Sequence, residues 1–417
     1  MDAPPIGPFG PRQAAERVVR PRRRLRSGVT QASSLILGAA LGLALPRIEG
    51  GPAVASTRTV EVLGAVGVSV LGVTSLVFSV LFLVVQWAAS TFTPRLALFR
   101  TNPLVWRVLA FAIGLLAYTV TATLAIGART TVSVWVPTVA LVLAVLAIVL
   151  VRRLQLTAFR SIQLAHVLAD TAEQAHHVID AFYPRPDEEE PGIRTQPARE
   201  PSILPLVRSI VSWDGASTVV EQLDLEQLVA TARAAGAVVI LRVPVGATVH
   251  PGAPVADVRG GRLETRQVTR AFVAGRERTY HQDPAYPLQV LADIGLRALS
   301  PAVNDPATAV QVLETVEGLL LRLVTADLDA ASVPDAQGSV RVVLCLRTWL
   351  EFLTIAVDEI LGAAVNSPMV LSCARDLLRR LAAVASDDRR EPVDQRLAWV
   401  ERQLVDRHPP FMRQPSG

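Results

Sequence analysis

The sequence predicts an α-helical membrane protein, with four transmembrane helices followed by a cytoplasmic α+β, mostly helical domain. Three observations predict this fold class. Four long stretches without charged residues lie before residue 152, arginines flank those stretches, and the rest of the chain alternates short apolar runs with helix-capping residues. Apolar residues make up 51% of the 417 residues, which is more than an ordinary soluble chain contains.

The four charge-free stretches are each long enough to cross a bilayer. A spanning helix needs about 20 apolar residues, because each residue rises about 1.5 Å and the hydrocarbon core is about 30 Å thick. The stretches are Ser27–Pro46, Val62–Pro94, Val108–Ala128 and Thr130–Val151. We therefore predict a transmembrane domain over residues 27–151. Because three spans follow the first, we expect that span to be retained rather than cleaved as a signal peptide.

The arginine distribution predicts the orientation of these spans. Seven arginines lie in the basic N-terminal tail of residues 1–26, and Arg95, Arg100 and Arg107 follow the second span. The opposite side carries only three arginines. Because cytoplasmic loops carry the excess of basic residues, we expect a multi-pass protein of the bacterial inner (plasma) membrane with both termini in the cytoplasm.

The basic residues also limit the possible chemistry. All 41 of them are arginine, since the sequence contains no lysine. A lysine Schiff base, a phosphate-loop lysine and a lysine-linked biotin or lipoate are therefore impossible, and we expect no cofactor. The chain has a net charge of +4. Because the arginines crowd around the apolar stretches, we expect this chain to contact the lipid bilayer and not nucleic acid.

Cysteine and histidine patterns predict neither a disulfide nor a metal site. Cys345 and Cys373 lie in the predicted cytoplasmic region, where thiols stay reduced. His166, His176 and His177 lack an accompanying cysteine, and two of them are adjacent rather than on one helix face. A solvated helix edge explains these histidines better than zinc ligation does.

The membrane part argues against cation-coupled transport, because no Asp or Glu occurs from Val62 to Ala169 and such transporters place carboxylates near the midplane. The second span carries polar residues at helical spacing, which could line a pore or pack against another helix. These candidates are Ser75, Ser79, Gln86 and Ser90, with Arg95 and Arg100 as the candidate cytoplasmic mouth.

The first span repeats small residues every four positions, at Ser34, Gly38 and Gly42. Small residues let helix backbones approach closely. We therefore predict a helix contact there, within the subunit or between subunits of a homo-oligomer.

Beyond the membrane, composition predicts five segments. Residues 152–182 read as a helical stalk that continues the fourth span, and residues 183–202 as a linker rich in proline and charge. Residues 203–270 are predicted to form a small α+β module, residues 271–407 a mostly helical domain, and residues 408–417 a disordered tail.

Within the module, we predict strands over Leu206–Trp213, Ala237–Val243 and Pro254–Val258, with a helix that Asp224 caps and that runs to about Ala234. In the helical domain, we predict a strand over residues 340–345. Helices are predicted over residues 349–363, from about 366 to about 384, and over residues 393–406.

The most distinctive segment starts at Ala271 and predicts two capped helices. Asp283 with Pro284, and Asp305 with Pro306, place an N-cap before a proline at the first helical position. Asp293 and Arg297 stand four residues apart, as in a helical ion pair. This structural account explains the acidic residues without any function.

The same segment resembles a known family. Gln282-Asp283-Pro284, Leu291-x-Asp293-Ile294, Arg297-Ala298-Leu299-Ser300-Pro301 and Asn304-Asp305-Pro306-x-Thr308-Ala309 are similar to the signature of a bacterial predicted membrane protein family labelled domain of unknown function 2254. The second-span run from Val77-Phe78-Ser79 through Gln86 and Ser90 to Thr93-Pro94-Arg95 matches it too. One departure lies at Trp213–Thr218, where the family tends to have a Ser-Gly-Tyr-like turn. The resemblance implies the architecture and brings no activity.

Two functional hypotheses follow. The first is an oligomeric channel-like or transport-related protein with a cytoplasmic assembly or gating domain. The alternative is a membrane-anchored regulatory or scaffold protein whose cytoplasmic domain binds a ligand or partner. An enzyme is disfavoured because no nucleophile elbow, zinc spacing, phosphate loop or dinucleotide fingerprint occurs. His281 beside Asp283 is the one acid–base pairing on offer, and a histidine next to a helix cap is more often structural, so we predict no catalytic residue.

Overall fold

A computed structural model describes residues 27–48, 50–91, 103–161, 163–183, 207–328 and 332–409. The chain divides into two compact units. The first, Arg24–Val167, is called the membrane unit here, and the second, Leu168–Gly417, the C-terminal unit.

The membrane unit contains four long helices: α1 (Ser27–Ala44), α2 (Ser56–Thr91), α3 (Pro103–Ile126) and α4 (Trp135–Ser161). Each of them is long and apolar enough to cross a membrane. Each also coincides with one of the four predicted stretches, although α2 begins six residues earlier and α4 ends ten residues later than the charge-free windows do.

The loops after α1 and after α3 meet at one end of this unit. Their short strands, β1 (Ala53–Ala55) and β2 (Thr131–Ser133), pair antiparallel. The Ser133 hydroxyl donates to the Gly50 carbonyl at 2.5 Å, and the Arg129 guanidinium donates to the Pro46 carbonyl. These two loops therefore lie on the same side, as alternating up-and-down helices require.

Helix α3 occupies the middle of the membrane unit. Leu115, Tyr118 and Ile126 from this helix are almost fully buried together with Leu63 of α2 and Val136 of α4. The Tyr118 hydroxyl donates to the Val136 carbonyl at 2.8 Å, which satisfies the polar end of a buried aromatic side chain. The core of this unit is therefore built around α3.

The small residues of α1 pack against α3 within the same chain. A Cβ atom on Gly38 would overlap the carbonyl of Gly114, and one on Gly42 would overlap the Thr121 hydroxyl. That hydroxyl also lies 3.3 Å from the Ala39 carbonyl of α1. The predicted contact of the first span is thus an intramolecular one.

The predicted continuous stalk is interrupted. Helix α4 ends at Ser161 and helix α5 spans Leu164–Phe182, so the expectation of one helix through residues 152–182 is wrong. Gln163 instead starts a new helix, since its carbonyl accepts from the backbone N–H groups of His166 and Val167.

Among its described residues, the C-terminal unit holds two sheets. Their strands are β3 (Val207–Ser212), β4 (Thr218–Leu223), β5 (Ala237–Leu241), β6 (Thr248–Val249), β7 (Pro254–Gly260), β8 (Phe272–Gly275), β9 (Ser332–Pro334) and β10 (Val340–Val343). The larger sheet has the strand order β3-β7-β5-β10-β9 and the smaller the order β6-β4-β8. Strand β10 runs parallel to β5, with Val342 opposite Val239, and the other pairs are antiparallel.

Helices surround these sheets. They are α6 (Leu225–Ala234), α7 (Thr265–Thr269), α8 (Ala285–Leu299), α9 (Pro306–Val324), α10 (Trp349–Leu353), α11 (Glu359–Ala363), α12 (Pro368–Val384) and α13 (Asp387–Arg407), with a π-helical turn over Thr354–Asp358 between α10 and α11. Leu288, Leu313 and Phe352 are fully buried among them. Because β9 and β10 complete a sheet begun by β3, the large sheet runs through both of the segments predicted as separate, residues 203–270 and 271–407.

Two predicted boundaries differ from the structure. Helix α13 starts at Asp387, six residues before the predicted start, and carries Pro392 inside it. Tyr183, predicted as the first linker residue, is fully buried. The rest of the predicted linker, and the tail beyond residue 409, lie outside the described residues.

Candidate functional site

The polar residues of the second span lie on one exposed face of α2. Ser75, Ser79 and Gln86 are all exposed, and the Ser79 hydroxyl donates to the Ser75 carbonyl at 2.9 Å. Ser90 belongs to the same helix, but its side chain lies outside the described residues. Arg95 and Arg100, the candidate mouth, also lie outside them.

The opposite face of α2 makes the contacts inside the membrane unit. Leu63 and Val66 belong to one buried cluster, and Val77 and Leu81 belong to a second. Among the described residues, the polar face of α2 is therefore not used to pack the four helices of its own chain.

Gln282, the first of the signature residues, is held by hydrogen bonds to a strand. Its side chain is almost fully buried. The Oε1 atom accepts from the Leu223 backbone N–H at 2.6 Å, and Nε2 donates to the Leu223 carbonyl at 3.0 Å. The Gln282 amide thus makes with Leu223 of β4 the two backbone hydrogen bonds that a neighbouring strand would make.

Asp283 is fully buried and paired with arginine. Its Oδ2 atom lies 2.7 Å from Arg278 Nε, and its Oδ1 atom accepts from the Ala285 backbone N–H at 3.1 Å. Helix α8 begins at Ala285 with Pro284 as its N-cap, so Asp283, which was predicted to be the N-cap, lies one residue before that position. Both carboxylate oxygens are engaged, which leaves Asp283 unsuited to act as an acid–base partner.

Gly246 is required beside this ion pair. Its φ is +86°, and a Cβ there would overlap the Asp283 carboxylate. The Arg278 guanidinium also lies 5.2 Å from the centre of the Tyr286 ring, within the range of a cation–π contact. The glycine therefore lets the loop after β5 cover the pair closely.

Asp293, predicted to pair with Arg297, has a contact in the other direction along its helix. Asp293 accepts from Gln289 Nε2 at 3.2 Å, one helical turn earlier. Arg297 is exposed, and its carbonyl accepts from the Ser300 hydroxyl at 2.7 Å. A side chain from the N-terminal side thus reaches Asp293, and the ion pair with Arg297 stays a prediction.

The corner between α8 and α9 is held by local hydrogen bonds. Asn304 has a φ of +49°, the one positive φ outside glycine among the described residues. Asn304 N donates to the Ser300 carbonyl at 2.9 Å and Asp305 N to the Ala298 carbonyl at 2.8 Å. Asp305 caps α9 as predicted, and hydrogen bonds from Thr308 lower the pKa of its carboxyl. Asparagine tolerates the left-handed region better than most residues do, so an architectural role for these signature residues stays the prediction.

An open pocket lies at the ends of the parallel strands β5 and β10 in the C-terminal unit. Its enclosed volume is about 20 Å³, which is little more than the space that one water molecule needs. The walls are mainly apolar, with Val245 and Leu346 among them, and its polar lining comes from Tyr183, Gln282, Cys345 and Arg347. Gln282 therefore connects the signature segment to this pocket.

Tyr183 ties α5 to the pocket. Its hydroxyl accepts from the Arg347 backbone N–H at 3.1 Å, and its ring meets Phe352 edge-on with centroids 5.5 Å apart. Its carbonyl accepts from Arg322, which also pairs with Asp180 at 2.8 Å. Burial raises the pKa of the Tyr183 hydroxyl, which therefore keeps its proton.

Sequence reasoning missed Tyr183 and Arg347. Tyr183 is followed by a proline- and glutamate-rich run that is typical of linkers, and Arg347 follows a strand without any motif around it. Neither residue carries a local signal, because both depend on contacts between distant parts of the chain. Within the described ranges, no three His, Cys, Asp or Glu side chains are grouped so as to hold a metal ion.

Comparison with known proteins agrees with the signature. A family model described as "Predicted membrane protein (DUF2254)" matches residues 28–380. The chain belongs to this family. The DUF2254 chain is also 27% identical over 359 residues to an uncharacterized protein of Mycobacterium bovis and to one of Mycobacterium tuberculosis. Each alignment covers 82% of this DUF2254 chain and 67% of the relative. No solved structure matches it significantly.

Proposed function

We propose that this chain forms a homo-oligomeric, channel-like protein of the bacterial inner membrane, in which the polar faces of α2 from neighbouring copies line a passage. In this proposal the C-terminal unit lies in the cytoplasm and assembles or gates the passage. The observation that carries the proposal is the exposed position of Ser75, Ser79 and Gln86 on a helix that can cross a membrane.

The length of α2 assigns different positions to these three residues. Its 36 residues rise about 54 Å at about 1.5 Å each, whereas the hydrocarbon core is about 30 Å thick. Gln86 lies five residues before the helix end, so in the proposal it stands at the cytoplasmic mouth. Ser75 and Ser79 then lie within the membrane.

The rest of the exposed face supports contact between copies or with lipid. Val68, Phe82 and Leu83 are exposed by 74%, 72% and 64% of their surface. In water such apolar surface would drive aggregation, whereas lipid or a neighbouring α2 would cover it. Polar residues with apolar flanks are the arrangement expected of a helix that faces a passage on one side and its neighbours on the other.

The proposed orientation rests on the arginines. Both termini are placed in the cytoplasm by the positive-inside rule. The pairing of β1 with β2 supports this assignment indirectly, because it keeps the two arginine-poor loops on one side.

The charges on α2 and after it lead to an expected selectivity. From Val62 to Ala169 there is no carboxylate that could form a cation-selecting ring, and Arg95 and Arg100 would stand near the cytoplasmic mouth. Positive charge at a mouth attracts anions. A passage of this kind should therefore conduct anions or be poorly selective.

Purified full-length protein in a planar bilayer tests the proposal. Under an asymmetric potassium chloride gradient, we expect conductance. The reversal potential should be close to zero or shifted from zero towards the chloride equilibrium potential. A reversal potential near the potassium value would overturn the selectivity argument. The absence of conductance at every pH and voltage would overturn the proposal that this chain forms a channel.

A second function is favoured by a separate observation. The pocket of the C-terminal unit includes Gln282 of the signature segment and contacts the end of α5 through Tyr183. This arrangement supports a membrane-anchored regulatory or scaffold protein whose C-terminal unit binds a ligand or partner. A protein that never conducts but binds a small molecule or a partner protein saturably through its C-terminal unit would favour this second function.

A further inference from the structure

We propose that an arginine-rich surface of the C-terminal unit binds the anionic headgroups of the phospholipids around the protein's own membrane helices. This surface, called the arginine face here, consists of Arg233, Arg262, Arg266 and Arg270, whose side chains are all exposed. The inference goes beyond the functions proposed above and does not depend on conduction. It follows from the arrangement of these arginines, from the excess of positive charge around them and from the attachment of the unit to helices that can cross a membrane.

Helix α7 carries the middle of this face. Arg266 and Arg270 stand one helical turn apart, since the Arg270 backbone N–H donates to the Arg266 carbonyl at 3.2 Å. The helix starts with a capping box, in which the Gln267 side chain accepts from the Glu264 backbone N–H at 2.8 Å. Side chains four residues apart lie on the same face of a helix, so the two guanidinium groups project from one side of α7.

The other two arginines lie beside α7, where the chain passes the end of α6. Gly261 approaches that end so closely that a Cβ on it would overlap the Ala235 carbonyl, and Arg262 follows directly. Arg233 belongs to the last turn of α6. The packing of these two helix ends thus brings arginines from separate parts of the sequence onto one surface.

Positive charge exceeds negative charge in this part of the chain. Residues 259–278 contain six arginines and two glutamates, without any aspartate. Among the described residues, no ion pair joins a guanidinium of the arginine face to a carboxylate. Elsewhere in the unit, Arg322, Arg341 and Arg396 are each paired with an aspartate. The arginine face therefore keeps its charge for a partner outside the chain.

Phosphodiester headgroups have the chemistry that fits such a surface. A guanidinium group presents its N–H donors in a planar fork that matches two phosphate oxygens. Four guanidinium groups spread over an exposed surface match a layer of phosphates better than a single small anion, which only an enclosed site would surround. The face contains no aromatic side chain that could stack on the bases of a single-stranded nucleic acid.

Attachment to the membrane helices favours lipid over other polyanions. Helix α5 begins at Leu164, shortly after α4 ends at Ser161. This short covalent connection keeps the local concentration of phospholipid headgroups around the unit high. The attractions of single arginines to an anionic bilayer surface, each of them weak, add up under this condition. An acidic protein or a nucleic acid would have to compete from solution.

Fluorescence quenching of the full chain in vesicles tests the assignment. A bimane label is attached at Ala234→Cys, an exposed position next to Arg233, in a background with Cys345→Ala and Cys373→Ala. The vesicles contain phosphatidylcholine with a nitroxide quencher on part of its headgroups, either alone or mixed with phosphatidylglycerol. We expect quenching to be at least twofold stronger in the vesicles with phosphatidylglycerol. This difference should disappear in 1 M salt, where charges are screened beyond about 3 Å.

A triple variant tests whether the arginines cause the difference. Arg262→Gln, Arg266→Gln and Arg270→Gln together should reduce the quenching in anionic vesicles to the level in phosphatidylcholine alone. The lipid and salt comparisons use the unmutated face, so they test the proposal even if the triple variant does not fold.

The matched control removes the same charge from exposed positions of α13. Arg390→Gln, Arg402→Gln and Arg407→Gln together should leave the quenching unchanged. Equal quenching with and without phosphatidylglycerol, or undiminished quenching in the folded variant of the arginine face, would overturn the assignment. Saturable binding of a duplex oligonucleotide without lipid-dependent quenching would assign the face to nucleic acid instead. None of these measurements involves conductance, so this inference and the proposed channel can fail separately.

Discussion

The carboxylate of Asp305 holds Thr308 by two hydrogen bonds, one from the Thr308 backbone N–H at 3.1 Å and one from its hydroxyl at 2.6 Å. This pair starts α9 immediately after the left-handed residue Asn304. Two neighbouring helices, α8 and α9, are thereby joined by a corner that needs no outside partner. Variants of the signature residues in this corner should therefore be tested first for an effect on folding stability.

Removing the cap should destabilise the C-terminal unit. Asp305→Ala deletes both bonds to Thr308, and loss of an N-cap costs about 0.5–2 kcal/mol. Asp305→Asn keeps one acceptor oxygen and should cost less. Urea unfolding of the full chain, followed by fluorescence of Trp349 in a variant without the other tryptophans, gives both values. Unchanged stability in Asp305→Ala, together with a lost cellular phenotype, would identify the corner as a binding site instead.

The same cap predicts a pH dependence. The pKa of the Asp305 carboxyl is lowered, mainly by the hydrogen bonds from Thr308. A lowered folded-state pKa contributes stability that is present above the unfolded value of about 3.9 and is lost as the pH falls through the folded value. The stability difference between wild type and Asp305→Asn should therefore shrink as the pH is lowered from 7 towards and below 4. A constant difference across that range would contradict the assigned cause of the shift.

The close contact between α1 and α3 predicts an effect in the membrane unit. Gly38→Val should destabilise this unit by about 1–3 kcal/mol, the usual cost of overpacking, because its side chain would collide with the Gly114 backbone. Gly64→Val is the matched control, since nothing lies within 4 Å of a Cβ there. Resistance to unfolding in sodium dodecyl sulfate, measured for both variants in the same detergent, compares them. Equal resistance in both would show that α1 does not pack as described.

The sequence predicted those elements that a local pattern of residues is sufficient to define. The four apolar stretches became α1 to α4 because length without charge suffices to define a spanning helix, and Asp224, Asp305 and Pro306 marked helix starts through local hydrogen bonds. Strand β4 was missed because Glu221 and Gln222 interrupt its apolar pattern, although both side chains are buried. Its burial depends on β8 and Gln282, which lie about 50 to 60 residues further along the chain.

The candidate sites show the same limit. The polar spacing on α2 was readable, but its exposure could not be known before the packing face of Leu63 and Val77 was seen. The pocket could not be predicted at all, because Tyr183, Gln282 and Arg347 are brought together only by the fold. The contact between Gln289 and Asp293 was not predicted, because four-residue spacing allows a contact in either direction along a helix.

The orientation of the spans predicts which positions an impermeant thiol reagent can reach. In a background with Cys345→Ala and Cys373→Ala, we expect intact cells to be labelled at Pro52→Cys and at Ala128→Cys. Both positions are exposed and lie in the loops that meet through β1 and β2. Arg95→Cys should react only after the cells are opened. Labelling of Arg95→Cys in intact cells would show that the orientation of the spans is the reverse of the proposed one.

The last prediction separates conduction from assembly at the polar face of α2. Ser79→Leu replaces an exposed hydroxyl by a larger apolar side chain. If Ser79 lines a passage, the leucine narrows and dehydrates that passage, so we expect the conductance to fall several-fold while the oligomer stays intact.

The neighbouring residue Val80 supplies the control. It is 51% exposed and lies about 100° around the helix from Ser79, since an α-helix has about 3.6 residues per turn. Val80→Leu adds one methylene group on a face that does not carry the polar residues, so conductance and assembly should both match the wild type.

Conductance in the planar bilayer and particle mass in detergent are measured on the same preparations of both variants. Ser79→Leu particles that fall apart, with Val80→Leu unaffected, would show that the polar face packs copies together and does not line a passage. Unchanged conductance and unchanged mass in Ser79→Leu would place this face against lipid, because a lipid-facing position accepts leucine without loss.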